Sequence, residues 1–231
     1  MNQRGKHSRI LACLILLALF VGFPLTAYSQ TEWKMVGNPA LILVHMQYGI
    51  VNEGGTVAFL GHAKATKESG IIPRQQALLK AFRAKGLPVI YVNAITDPNS
   101  VVPAYGKFWA AYKKVKANMP GSKDVEVIPE LAPLPGEPVL PNFPFGMFTG
   151  NNLEKILKEK KVDTLVLAGV ATDMAILAGV NQAADLVYNI IVPSDASTSA
   201  SKKAHEATMN LMIPAMALVT PTEDVLAHLK D

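Results

Sequence analysis

The sequence predicts an α/β fold, a three-layer domain with a mostly parallel sheet flanked by helices. Three observations carry that expectation. Short apolar runs alternate with helical patterns along the chain, the mark of parallel strands joined by crossover helices. One run, "VDTLVLAGV" (162–170), is apolar almost throughout, as a strand covered on both faces must be. The polar residues with chemical potential follow the runs directly, at the carboxyl ends of strands, where ligands gather in such sheets.

The first thirty residues stand apart from this pattern. "MNQRGKHSR" holds Arg4, Lys6 and Arg9 and no acid, "ILACLILLALFVGF" is an unbroken apolar run, and Ala27 and Ser29 form a small-x-small site. The order of basic start, short apolar core and small residues predicts a signal peptide over 1–29 and a single domain over 30–231. The apolar run is shorter than the roughly 20 residues that span a bilayer, so no stable membrane anchor is expected. Cys13 precedes that run instead of following it, so lipidation is not expected either. Export to the periplasm or the medium follows. Loss of three positive charges takes the formal +4 of the whole chain to +1, which removes the case for a nucleic-acid partner. Cys13 is the only cysteine, so the mature chain has no disulfide and no thiol nucleophile.

Within the domain, Ala40–Val44 reads as the first strand. A helix is expected over 72–85, with Pro73 in its first turn, Leu78, Leu79 and Phe82 on one face and Gly86 at its end. "LPVIYVNA" is the second strand, ending at Ala94. Residues 95–138 are irregular, with several prolines and a short helix near 108–115 that carries Phe108, Trp109 and Tyr112. These rings read first as core, with a lid over an apolar pocket as the alternative. A helix over 152–160 precedes the strand at 162–170, and a helix over 172–186 follows it. "NIIVPSDA" is a further strand. A helix over 200–212, the strand "MALVT" and a helix over 222–229 with Thr222 as N-cap complete the chain.

Four segments join this order to a known family: "ALILVHMQYGI", "FTGNNLEKILKEKKVDTLVLAGVATDMAILAGVNQAADL", "IIVPSDASTS" and "HEATMNLMIPAMALVTPTEDVLAHL". The second joins an F-x-G turn, a helix, a buried strand and a G-x-x-T turn. Together they resemble the isochorismatase-like, or cysteine hydrolase, superfamily. The resemblance implies a parallel sheet flanked by helices and a catalytic trio of aspartate, lysine and cysteine. In the amidase members the cysteine attacks a carbonyl, the aspartate takes its proton and the lysine holds the pair. The corresponding positions here are His45, Asn142 and Ala175, so all three are substituted. "NAITDPNS" offers Asp97 and no histidine, so the nicotinamidase-type metal is not expected, and no cofactor is implied.

The functional reading of His45 is a general acid or base acting through water, with Asn142 polarising the substrate. The plain reading is a buried, hydrogen-bonded histidine in a site that has lost its chemistry. Gln47, Phe148, Val170, Ala171 and Thr172 are the candidate substrate-binding residues, although Gln47 has a second reading as a partner for loop backbone. Asp173 reads as a helix cap, and the resemblance implies a cis peptide at Val170–Ala171. His62, His205 and His228 show no ligand spacing and read as surface or packing residues. The function expected is therefore an exported isochorismatase-like hydrolase acting on a small molecule, or a non-catalytic relative that binds a small ligand or a protein. The sequence leaves a homo-oligomer open.

Overall fold

A computed structural model describes residues 33–99, 105–142 and 145–229. The chain divides into a unit of Met1–Lys34 and a unit of Met35–Asp231, and the second holds the fold. The expected signal peptide lies outside the described residues.

Seven strands form one sheet: β1 (Pro39–Val44), β2 (Val89–Ala94), β3 (Val139–Asn142), β4 (Thr164–Val170), β5 (Asn189–Pro193), β6 (Ser197–Thr198) and β7 (Leu218–Thr220). Their order is β3-β2-β1-β4-β5-β7, with β6 set against the end of β4, and every pair is parallel. β1 and β4 are buried along their whole length, which is why their sequences show no alternation of apolar and polar residues. The main core packs helices on these strands through Ile42, Val44, Leu165, Leu167, Leu157 and Val180. The strand order reverses beside β1, which makes the cleft past the ends of β1 and β4 the natural ligand position.

The helices are α1 (Tyr48–Val51), α2 (His62–Ser69), α3 (Ile71–Ala84), α4 (Lys107–Lys114), α5 (Leu153–Glu159), α6 (Leu177–Asp185), α7 (Lys202–Ala207) and α8 (Thr222–His228). α3 buries Ile71, Leu78, Leu79 and Phe82, the spacing that predicts it. Its carboxyl end closes with Gly86 at φ 65°, a left-handed position that glycine adopts without strain.

Several local expectations change. The helix expected over 172–186 begins as a wide π-helical turn, Thr172–Ile176, and becomes regular only at Leu177. The helix expected over 200–212 likewise ends in such a turn, Thr208–Met212. Thr222 is not the N-cap of α8. Pro221 holds that position, and the amide and hydroxyl of Thr222 both donate to Asp195 (2.8 and 2.6 Å). β3, β6, α1 and α2 are additions to the expected set.

Candidate functional site

The site begins where β1 leaves the sheet. Val44 lies between Val92 and Gly169 in the register. The next residue, His45, has φ 55°, a conformation in which histidine is enriched among non-glycine residues. Its amide still donates to the Val92 carbonyl (2.8 Å), so the backbone stays tied to β2 while the chain turns. Met46 and Tyr48 then bond to the segment at 126–128.

β4 ends beside it in a way only glycine allows. Gly169 sits at φ 136°, and a methyl group there would strike the Val44 backbone. The following peptide, Val170–Ala171, is cis. The chain then enters the Thr172–Ile176 turn, which brings Ala175 to the cavity in a buried position. On the other side, Asn142 is the last residue of β3, opposite Ala94 of β2. Its side-chain Nδ2 donates weakly to the Phe145 carbonyl (3.4 Å).

These strand ends enclose a cavity of about 40 Å³ lined by His45, Asn142, Ala175, Val170 and Ala171, room for a few water-sized groups. Five of the eight candidate site residues thus meet, drawn from the ends of β1, β3 and β4 and the turn after β4. The other three do not line the cavity. Gln47 is fully buried and its amide clamps backbone: Nε2 donates to the Ala94 and Asp124 carbonyls (both 2.9 Å), and Oε1 accepts from the Ala94 amide (2.7 Å). These three bonds hold the loop to β2. Phe148 stacks on Tyr188 (6.0 Å between centroids) and packs against the main core. The Thr172 hydroxyl is taken by His205 Nδ1 (2.9 Å). Asp173 does not cap the turn; its carboxylate accepts from the Ser199 hydroxyl.

Two further groups belong to the site, one read from the sequence as surface or packing and one read first as core with a lid as the alternative. His62, on the first turn of α2, is buried and lines the cavity. Phe108, Trp109 and Tyr112 of α4 cover the cavity together with Phe145. Phe108 stacks on Tyr112 (4.5 Å, 28°), and Phe145 lies 5.2 Å from Phe108 and 4.8 Å from Trp109. Tyr112 is buried, but Phe108 and Trp109 are only half-buried, so the cluster is the cover of a pocket and not ordinary core. No local motif announces His62; it reaches the cavity through the packing of α2 beside α1.

The electrostatics follow from burial. Burial, and secondarily the neighbouring His62, lowers the His45 pKa to about 4, so the imidazole is neutral at pH 7. Burial also lowers His62, with Asp173 opposing the shift. It raises the Tyr112 phenol to about 12. No aspartate, glutamate, lysine or arginine lines the cavity among the described residues. His45 Nε2, His62 Nδ1 and Asn142 Oδ1 are buried without a hydrogen-bond partner. The hydrogen-bonded histidine of the plain reading is therefore not met at Nε2 of His45. Leaving such groups unpaired costs about 1–3 kcal/mol each, which a ligand with matching polar atoms would recover. Among the described residues, no group of three or more His, Cys, Asp or Glu side chains is placed to hold a metal ion.

Residues 39–224 match the family model of the isochorismatase domain. The chain belongs to the isochorismatase family. It is 27% identical over 199 residues to the isochorismatase family protein YwoC of Bacillus subtilis, covering 83% of this chain and 94% of that one. It is 28% identical over 173 residues to the ureidoacrylate amidohydrolase RutB of Rhizobium rhizogenes, covering 68% and 69%. The fold matches that of a cysteine hydrolase from Pseudomonas syringae pv. phaseolicola (TM-score 0.76, 21% identity, 86% and 96% covered). It also matches N-carbamoylsarcosine amidase from Thermoplasma acidophilum (TM-score 0.65, 27% identity, 81% and 98% covered).

Proposed function

We propose that this chain is an exported isochorismatase-family protein that binds a small uncharged molecule, and that it has exchanged the family's hydrolytic trio for a neutral binding site. The observation that carries this is the set of partnerless buried polar atoms, His45 Nε2 and Asn142 Oδ1 above all, in a cavity without a charged side chain among the described residues. Where a carboxylate and a lysine would pair, the chain has an imidazole held neutral and an amide. Where a thiol would attack, it has the methyl group of Ala175. A base needs a pKa near the working pH to accept a proton efficiently. One lowered to about 4 is poorly matched to that task, whereas a neutral imidazole is well suited to donate or accept a ligand hydrogen bond.

The relatives named for their substrates, a ureidoacrylate amidohydrolase and an N-carbamoylsarcosine amidase, supply the test. Purified protein of residues 30–231 should release no ammonia from ureidoacrylate or N-carbamoylsarcosine. It should gain thermal stability from small uncharged amides and ureas, and His45→Ala should abolish that gain. Steady turnover of either compound, lost in His45→Ala, would overturn the binding reading in favour of hydrolysis by His45 and water.

A further inference from the structure

We propose that the pocket is selective for a small, flat, uncharged ring, and that Phe108 and Trp109 of α4 impose the flatness; the proposal rests on the reading that the pocket binds a small molecule. The cover of the cavity is made of rings against rings. Phe108 lies at 4.5 Å on Tyr112, edge-on to Trp109 at 5.2 Å, and tilted on Phe145 at 5.2 Å. Such contacts contribute beyond their buried area because ring faces and edges carry opposite partial charges. A guest that enters beneath the cover parts some of these rings. It restores their contacts only if it offers a flat face of its own.

The floor of the pocket reads an edge. His45 Nε2, His62 Nδ1 and Asn142 Oδ1 are buried without partners. An imidazole serves as donor or acceptor according to its tautomer, and the Asn142 oxygen accepts. A ring carrying an N–H and a carbonyl in its own plane meets these groups while its faces meet the cover. A charged guest would give up hydration with no counter-charge to replace it, because no acidic or basic side chain lines the cavity among the described residues.

The space available requires the cover to move. The cavity of about 40 Å³ admits water-sized groups and not a ring. α4 is the element suited to yield. Tyr112 is its one buried residue, while Lys107, Lys113 and Lys114 lie exposed on its surface. Its displacement breaks the ring contacts of the cover, which is why a guest with a flat face of its own is the one that restores them. Phe108 and Trp109, half-buried on that helix, therefore meet the guest from the element that yields, while His45 and Asn142 meet it from the ends of β1 and β3.

Three matched probes test this: 2-pyridone, flat and uncharged; 2-piperidone, with the same lactam on a puckered ring; and benzoate, flat and charged. Calorimetry on the 30–231 chain measures affinity. Trp33 and Trp109 are the two tryptophans, so a Trp33→Phe variant makes Trp109 the sole emitter. We expect 2-pyridone to bind about tenfold more tightly than 2-piperidone, the worth of one ring–ring pair, to bind more tightly than benzoate, whose charge finds no counter-charge, and to shift Trp109 emission. Phe108→Leu should reduce that preference to about threefold or less while leaving 2-piperidone affinity unchanged. Equal binding of 2-pyridone and 2-piperidone, or tighter binding of benzoate, overturns the selectivity and leaves the small-molecule reading standing. Binding of 2-pyridone without a change in Trp109 emission overturns the role of α4. Failure of all three probes to bind the unsubstituted protein at millimolar concentration overturns this inference and the small-molecule reading together.

Discussion

His45 keeps a neutral imidazole where the resemblance places a carboxylate, and its burial has a consequence for stability. Its folded pKa, about 4, lies below the usual histidine value of 6.5. The unfolded chain therefore binds the proton first as pH falls, so the folded state loses stability between pH 6.5 and 4. The loss from this group is roughly 3 kcal/mol at most. His45→Asn keeps a residue that tolerates the left-handed backbone and removes the titration. Urea unfolding should therefore show a flatter decline for His45→Asn than for the parent across that window. Equal declines would mean that His45 is solvated when folded. His45→Asp adds a charge to the same position with no cation lining the cavity among the described residues. At pH 7 it should be less stable than His45→Asn by about 2 kcal/mol or more. Its raised folded pKa should return that stability as pH falls toward 4. The triple variant His45→Asp, Asn142→Lys, Ala175→Cys should recover most of the loss, because positions 45, 142 and 175 share one cavity and the carboxylate regains a counter-charge. A triple variant no more stable than His45→Asp in urea would show that position 142 cannot deliver a cation to position 45.

The strand ends carry the site, and their geometry is demanding at Gly169. Any side chain there would strike the Val44 backbone and would also occupy φ 136°. Gly169→Ala should destabilise the fold by about 2–4 kcal/mol and reduce ligand-induced stabilisation, because β1 and β4 would part where His45 and Val170 leave the sheet. A loss below about 0.5 kcal/mol in urea unfolding would show that the β1–β4 junction relaxes freely. How well the sequence announced each element follows the same physics. β1, β2, β4 and β5 were legible because continuous apolar runs have few other uses. β3 was not. It is a short edge strand, "VLPN", with alternating exposure and a proline, which edge positions tolerate and sequence patterns do not reveal. α2, "HAKATKES", buries only His62, Ala63 and Thr66, so it shows no apolar stripe, and nothing in its pattern sets His62 apart from surface or packing residues. Positions 45, 142 and 175 were legible only through the family resemblance. Gln47, Phe148 and Thr172 stand near those positions in sequence, but their side chains are engaged elsewhere, Gln47 with loop backbone, Phe148 with Tyr188 and Thr172 with His205.

At the scale of the whole molecule, the segment before the fold and the content of the fold give one joint expectation. The domain from Met35 onward is compact, and its only preceding cysteine, Cys13, lies within the stretch read as a signal peptide. Among the described residues no helix is long and apolar enough to cross a membrane. If export removes residues 1–29, the mature protein begins near Gln30 and contains no thiol. Its stability then depends on packing and hydrogen bonds alone, so its melting temperature should be the same with and without reductant. Iodoacetamide should add no mass at cysteine and should leave ligand binding unchanged. Intact-mass analysis of the exported material reads both points in one spectrum, the start of the chain and the absence of an adduct. A mass that retains residues 1–29 in a membrane fraction would replace export with anchoring. It would also leave Cys13 in the protein, where the reagent should then find it.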